Sequence, residues 1–349
     1  MATTYYVDPA GSNTAPYDTW AKSATALATV VAIPPAAGDT IYCRTHEHIA
    51  AEIDLASSGT NAAGWIKLIG CNADGNVDGT RYVINGDAAG INILDFNTQD
   101  MWWLENIEVI NTGAGVKYGF YSSSSSSNGI IFINCCANSC GIGFGVSNCD
   151  RSAVIRSVAY SNTYDGISLG NYSIALLCAS HANGRDGIAM GYLATVYGCI
   201  SHGNTDDGIV DVSPSSLILN SVIDSNTDDG IEIAATALLY SPIIIGCRIT
   251  NHSGAGDNGL ITFDEPCIVG WSYFEDNDDN IAGAAHDAAP AVTFQFIPIE
   301  NGTTTTNLED LANTNEGYAA AVAGHNFATN YVDSGDPDLR RVAITIPWS

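Results

Sequence analysis

Short apolar runs alternate with polar turns through the middle of the chain, and the alternation keeps a fixed step. The apolar runs are Ala153 to Val158, Ile174 to Ala179, Ala194 to Ile200 and Leu217 to Ile223. Val, Ile and Leu dominate them, which is strand chemistry. A polar segment follows each run: SNTYDGISL (Ser161 to Leu169), HANGRDGIAM (His181 to Met190), HGNTDDGIVD (His202 to Asp211) and DSNTDDGIEI (Asp224 to Ile233). Gly166, Gly187, Gly208 and Gly230 stand 21, 21 and 22 residues apart, and Asn162, Asn183, Asn204 and Asn226 keep the same steps. A fixed period of this size means stacked supersecondary units, not a single globular core. Asn-x-x-Asp-Gly is a turn signal, with an Asn that bonds local backbone and a Gly that accepts positive φ. No segment of the unit is long enough for a helix. Two or three short strands per unit predict a parallel β-helix. Its coils stack about 4.8 Å apart, so equivalent residues form columns.

The flanks are less regular. Thr4 to Asp8 predicts a strand. Asp18 or Thr19 is placed to cap a helix carrying Trp20, Ala24, Leu27 and Val31 on one face, ended by Pro34-Pro35. Gly38 to Arg44 predicts the first coil strand. Trp65 to Gly70, Tyr82 to Gly86 and Met101 to Val109 predict strands of the early coils, with Trp102 and Trp103 on opposite faces. Ser122 to Ser127 reads as a bulging loop. The step from Gly230 to Gly259 is 29, which predicts an insertion around Asn251 to Asp257. Periodicity ends after Ala282, and Leu308 to Ala323 is Ala-rich enough for short helices. The organisation expected is a cap and first coil over residues 1–48, the β-helix over 49–290 and a closing region over 291–349.

The repeat resembles the right-handed parallel β-helix of the pectate-lyase-like superfamily, and the column Asn162, Asn183, Asn204, Asn226 resembles its asparagine ladder. The run YYVDPAG, helix, GDTIY resembles the N-terminal cap of bacterial and phage β-helix proteins. The tail DSGDPDLRRVAITIPW resembles their closing segment. The resemblance implies an all-β solenoid. It does not single out a function, because the architecture hosts lyases, hydrolases, epimerases, tailspikes and passive virion proteins.

Charge narrows the choice. The chain has 349 residues with 11 Lys and Arg against 38 Asp and Glu, a net charge of −27. Phosphate binding needs clustered cations, so a nucleic-acid partner is not expected. Strong binding of a polyuronate is disfavoured for the same reason. The start, MATTYY, shows no signal-peptide pattern, and no segment approaches membrane-spanning length. The ten cysteines read as thiols. Cys178 and Cys199 share a column with Ser157, Ser221, Cys135 and Cys247, which predicts small residues stacked inside the coil. Adjacent Cys135 and Cys136 are expected on opposite sides of a strand.

Candidate chemistry lies on the turns. His181, His202 and Asp224 occupy one column, a set suited to metal binding or acid–base work. Ladder hydrogen bonding is the alternative. Asp206, Asp207, Asp228 and Asp229 pair carboxylates in the way glycoside hydrolysis requires. SHGNTDDG, Ser201 to Gly208, resembles polygalacturonase motifs superficially. In that family the motifs sit on separate coils, and here they overlap in one turn that recurs as NTDDG at Asn226. For β-elimination, Arg185 beside Asp186 is the candidate base in the repeats. Asn72, Asp74, Asn76 and Asp78 space oxygen donors as in a Ca²⁺ loop, with Ile84 where the closing Glu belongs.

The reading expected from these features is a non-catalytic phage virion surface protein: a decoration, fibre or spike component. It would be extracellular, trimeric by resemblance, and partnered by other virion proteins or a neutral polysaccharide. The alternative is an extracellular polysaccharide lyase or glycoside hydrolase acting on a capsule or cell-wall glycan.

Overall fold

The computed structural model describes residues 2–113, 115–124, 127–211, 215–234, 242–252, 258–262, 268–275, 277, 279–283, 293–295, 297–300, 331–332 and 341–342. The chain divides into two compact units, Met1–Gly184 and Arg185–Ser349. Each is a stack of parallel coils with three sheet faces.

In the first unit, Thr4–Val7, Thr40–Arg44, Ile66–Cys71, Trp102–Glu105, Ile131–Ile133, Ala153–Ile155 and Ile174–Leu176 pair in that order to make the first face. His46–His48, Tyr82–Asn85, Ile107–Ile110, Cys136–Asn138, Val158–Tyr160 and Ala179–His181 make the second. Ile53–Asp54, Leu94–Asp95, Tyr118–Tyr121, Ile142–Val146 and Ile167–Leu169 make the third. In the second unit the first face is Thr195–Tyr197, Leu217–Leu219, Ile243–Ile245, Ile268–Gly270 and Thr293–Gln295. Its second face runs from Ile200–His202 through Val222–Asp224, Arg248–Thr250 and Tyr273–Glu275 to Ile297–Glu300. Its third runs from Ile188–Met190 through Ile209–Asp211, Ile231–Ile233 and Asn258–Thr262 to Asp279–Gly283. Parallel pairing thus continues past Ala282, and Arg341–Val342 then pairs antiparallel with Ile297–Glu300 and with Tyr331–Val332. The Leu308 to Ala323 stretch lies outside the described residues, as does most of the expected insertion before Asn258.

One rule explains the corners. Between the first and second faces a single residue takes a left-handed backbone: Asn106, Asn134, Arg156, Leu177, Gly198, Asn220, Gly246 and Trp271, with φ between 46 and 69°. From Asn134 onward the next residue is small and points inward: Cys135, Ser157, Cys178, Cys199, Ser221, Cys247 and Ser272, all buried. Within a unit these residues bond the neighbouring coil. Ser157 Oγ accepts the Cys135 N–H, Ser221 Oγ that of Cys199, and Ser272 Oγ that of Cys247. The stacked column of small residues is therefore present. Burial pushes the Cys135 and Cys247 thiols up to about 12, so they stay protonated and unreactive. Cys135 sits at the corner facing in. Cys136 falls in the outward register with Glu108 and Val158 but is also buried.

The same corner rule corrects the expected strand Met101 to Val109. Asn106 turns the chain there, splitting it into Trp102–Glu105 and Ile107–Ile110. Trp102 points into the core, with its indole N–H donating to Ser57 O at 2.6 Å. Trp103 points outward, donates to Glu105 Oε2 and carries the Lys67 ammonium over its ring. The expected serine loop is pinned inside at both ends. Ser122 and Ser127 are buried and hydrogen-bonded to each other.

The N-terminal helix is shorter than the sequence suggests. Thr19 makes no side-chain cap, and Trp20–Lys22 is one 3₁₀ turn. Ala24 then bridges to Val7, and its N–H and C=O bond Tyr6 and Asp8. That pairing withdraws the backbone from any helix. The α-helix is Leu27–Val31, with Leu27, Val30 and Val31 buried. Its first amide, at Leu27, is capped from a distance by Glu47 Oε2, which also accepts the Tyr82 hydroxyl. Burial raises the Glu47 pKa against both hydrogen bonds. Among the described residues no helix is long and apolar enough to cross a membrane.

Candidate functional site

The polar corner after the second face is a ladder. Asn162 donates its Nδ2–H to Asn183 Oδ1 at 2.9 Å, and the same oxygen accepts the Asn162 backbone N–H. Asn204 repeats both bonds to Asn226 Oδ1. The ladder then recruits a residue that the period does not reveal. His252, fully buried, contacts Asn226 Nδ2 at 3.2 Å and Asn277 Oδ1 at 2.8 Å. It lies 26 residues after Asn226 instead of 21 or 22, and it is not an Asn, so neither spacing nor identity announces it.

The column of His181, His202 and Asp224 is described in its two units. His181 pairs with Tyr160 in register, and their rings stack at 5.3 Å and 7°. His202 Nδ1 lies 3.1 Å from Asp224 Oδ2. Asp224 also accepts from Thr250, Asn251 and Ser225. Burial opposes its charge, but these bonds and His202 hold its pKa below the ordinary value. Asp224 is therefore a carboxylate saturated by donors at its place in the corner.

The acidic turns split into inner and outer members. Asp207 and Asp229 are buried, and Asp228 is exposed. Asp207 Oδ1 accepts the Asp229 N–H at 3.0 Å, and Asp229 Oδ1 accepts the Asn258 N–H at 2.6 Å and its side-chain amide. These carboxyls form a second ladder. Burial, then hydrogen bonding and repulsion from Glu232, push Asp207 up to about 10. Burial also raises Asp229 to about 6. Asp206 accepts the Asp228 backbone N–H through its carbonyl. Arg185 lies against Asp186, 3.2 Å away.

In the Asn72 to Asp78 loop, Asn72 Nδ2 donates to Asp78, and Asn72 Oδ1 accepts the backbone N–H groups of Asp74 and Asn76. The loop closes on itself through these bonds. Among the described residues, three other acidic groups bring three carboxyls within 4.8 Å: Glu52, Asp54 and Asp95; Asp186, Asp206 and Asp207; and Asp207, Asp228 and Asp229. Carboxylate oxygens at such spacing could hold a hard cation.

The first of these groups differs from the repeats. It sits on the outward side of the third face in the first unit, where Asp54, Asp95 and Tyr121 share one column. The Glu52 carboxyl lies against that of Asp95. Burial first, then Asp95 and Asp54, push Glu52 up to about 7. Asn92 donates to Glu52, and Asn97 donates to Asp54. Beside the carboxyls lies an aromatic pair. Tyr118 and Tyr121 stack with centroids 4.1 Å apart at 18°. Gly145 is in register with Tyr121, and a Cβ there would collide with the Tyr118 ring. The absent side chain at Gly145 is what lets Tyr118 lie down beside Tyr121.

Residues 118–262 match the family model described as the right handed beta helix region. No curated protein matches the chain in sequence. Among solved structures, a rhamnogalacturonan lyase superposes with a TM-score of 0.57 at 14% identity, over 88% of each chain. Pectate lyase Pel9A gives 0.54 at 15% identity, over 96% of this chain and 85% of that one. ORF18 of Geobacillus virus E2 gives 0.52 at 12% identity, over 77% of this chain and 54% of that one. The protein is similar in fold to polysaccharide-processing enzymes and to a phage protein alike: it has the pectate-lyase-like right-handed parallel β-helix fold.

Proposed function

We propose that the protein is a virion-type surface protein that binds a neutral glycan over the third face of its first unit. The Tyr118–Tyr121 stack beside the Glu52–Asp95 carboxyl pair carries this reading. Aromatic faces pack against the apolar faces of sugar rings, and adjacent carboxyl and amide groups bond hydroxyls. The net charge of −27 favours an uncharged chain over a polyuronate. The phage neighbour supports the virion setting. Equilibrium binding to a panel of neutral and uronate glycans tests it. Neutral chains should bind, and Tyr121→Ala should weaken them about tenfold, the loss expected for one aromatic contact. Tighter binding of uronates, or a silent Tyr121→Ala, would overturn it.

A second reading has its own observation. Burial, then Asp95 and Asp54, raise Glu52 to about 7, the direction that the general acid of a glycoside hydrolase requires. New reducing ends on the same panel, lost in Glu52→Gln, would make the protein a depolymerase.

A further inference from the structure

Alternation in a sheet with one side in water puts apolar residues in and polar residues out. The first face breaks this rule. In the second unit Thr195, Leu217, Ile243 and Ile268 form one outward column, and Tyr197, Leu219, Ile245 and Gly270 form the other. The residues between them, Val196, Ile218, Ile244 and Val269, are fully buried, which fixes the outward direction of their neighbours. Tyr197 is 40% exposed and Ile245 and Ile268 are each 37% exposed. In the first unit the last three coils of this face repeat the pattern, with Ile131, Ala153 and Ile174 in one outward column and Ile133, Ile155 and Leu176 in the other, before the columns reach Trp103 and Glu105. None of the outward positions in the second unit's strip is charged. The other two faces of the second unit do carry outward charge, at Asp224, Arg248 and Glu232.

We propose that the strip of the second unit is a self-association surface on which a second copy of the chain docks. Charge selects the occupant. Two copies at −27 repel over most of their surface and approach at least cost where neither carries charge. A strongly charged partner would find no complement on the strip. The strip also matches itself. Successive coils present aliphatic residues at the same two positions, so ridges of one copy meet ridges of the other in an isologous contact. A contiguous aliphatic sheet surface of this kind marks an interaction site.

Sedimentation of the full chain over a wide concentration range is the test. The wild type should self-associate, and Leu219→Lys combined with Ile245→Lys should abolish it with the melting temperature unchanged. The two lysines lower the net negative charge, so generic electrostatics predicts more association, the opposite sign. Thr227→Lys, on an exposed turn, is the control and should not weaken association. If the lysine variant fails to fold, Leu219→Thr with Ile245→Thr should weaken association at least tenfold. A wild type that stays monomeric throughout, or folded strip variants that associate like the wild type, would overturn the proposal.

Discussion

Burial and a like neighbour raise both Asp207 and Glu52, and their surroundings set the two carboxyls apart. Asp207 lies against Glu232 inside a corner whose members recur from coil to coil and whose oxygens already hold backbone amides of the next coil. Glu52 lies against Asp95 on an outward surface beside two stacked tyrosines that recur nowhere in the period. The first is explained by the coil it holds together. The second adds an aromatic surface that the fold does not require.

That contrast can be broken experimentally. The largest effect should come from the ladder. Asn226→Leu removes the acceptor of two Asn204 donors and leaves them buried without it. The cost should be on the order of 3 kcal/mol, read by chemical denaturation. Glycan binding below the melting range should not change. Next, Gly145→Ala should drive Tyr118 from its place and weaken glycan binding about tenfold, read by equilibrium binding well below the variant's melting range. A stable Gly145→Ala protein with full binding would remove the aromatic pair from the proposed site.

The third effect depends on pH. Asp207 and Asp229 have folded pKa values, about 10 and about 6, above those of the unfolded chain. The folded state therefore binds more protons. Their stabilisation is complete below the ordinary carboxyl range of about 4 and is lost as pH rises through 6 toward 10. Asp207→Asn keeps an acceptor for Asp229 N–H and gains a donor for Glu232. It should raise the melting temperature at about pH 8 and leave it unchanged at about pH 4. The smallest effect belongs to exposed Asp228. Asp228→Asn should change stability by less than about 0.5 kcal/mol and leave binding intact. Loss of glycan cleavage in that variant would instead move the chemistry to the turns.

The coil was legible wherever the step was constant. Asn162 to Asn226 and the Cys and Ser column follow from counting, because a buried column repeats with the coil. Counting failed where coil length varies. Asp54, Asp95, Tyr121 and Gly145 align in space, yet they are separated by 41, 26 and 24 residues. No period links them, so the aromatic and carboxyl pairs could not be brought together from sequence. The early helix was misread for a different reason. Its apolar spacing suited a helix, but Ala24 gained more from pairing with Val7, and the true cap, Glu47, comes from 20 residues downstream. The outward aliphatic columns were hidden because short runs such as Leu217 to Leu219 look like any buried strand.

The left-handed corner residues have one more consequence. Gly198 and Gly246 hold that backbone without steric penalty, whereas Arg156, Leu177 and Trp271 hold it at a cost of about 1 kcal/mol each. The corner accepts a guanidinium, an isobutyl group, an indole or nothing at all without altering the inward residue beside it. It behaves as a row of sockets along the outside of the coil, each tolerant of its plug. A lineage can therefore rewrite what this edge offers to its surroundings one coil at a time, and leave the interior that holds each coil to the next untouched.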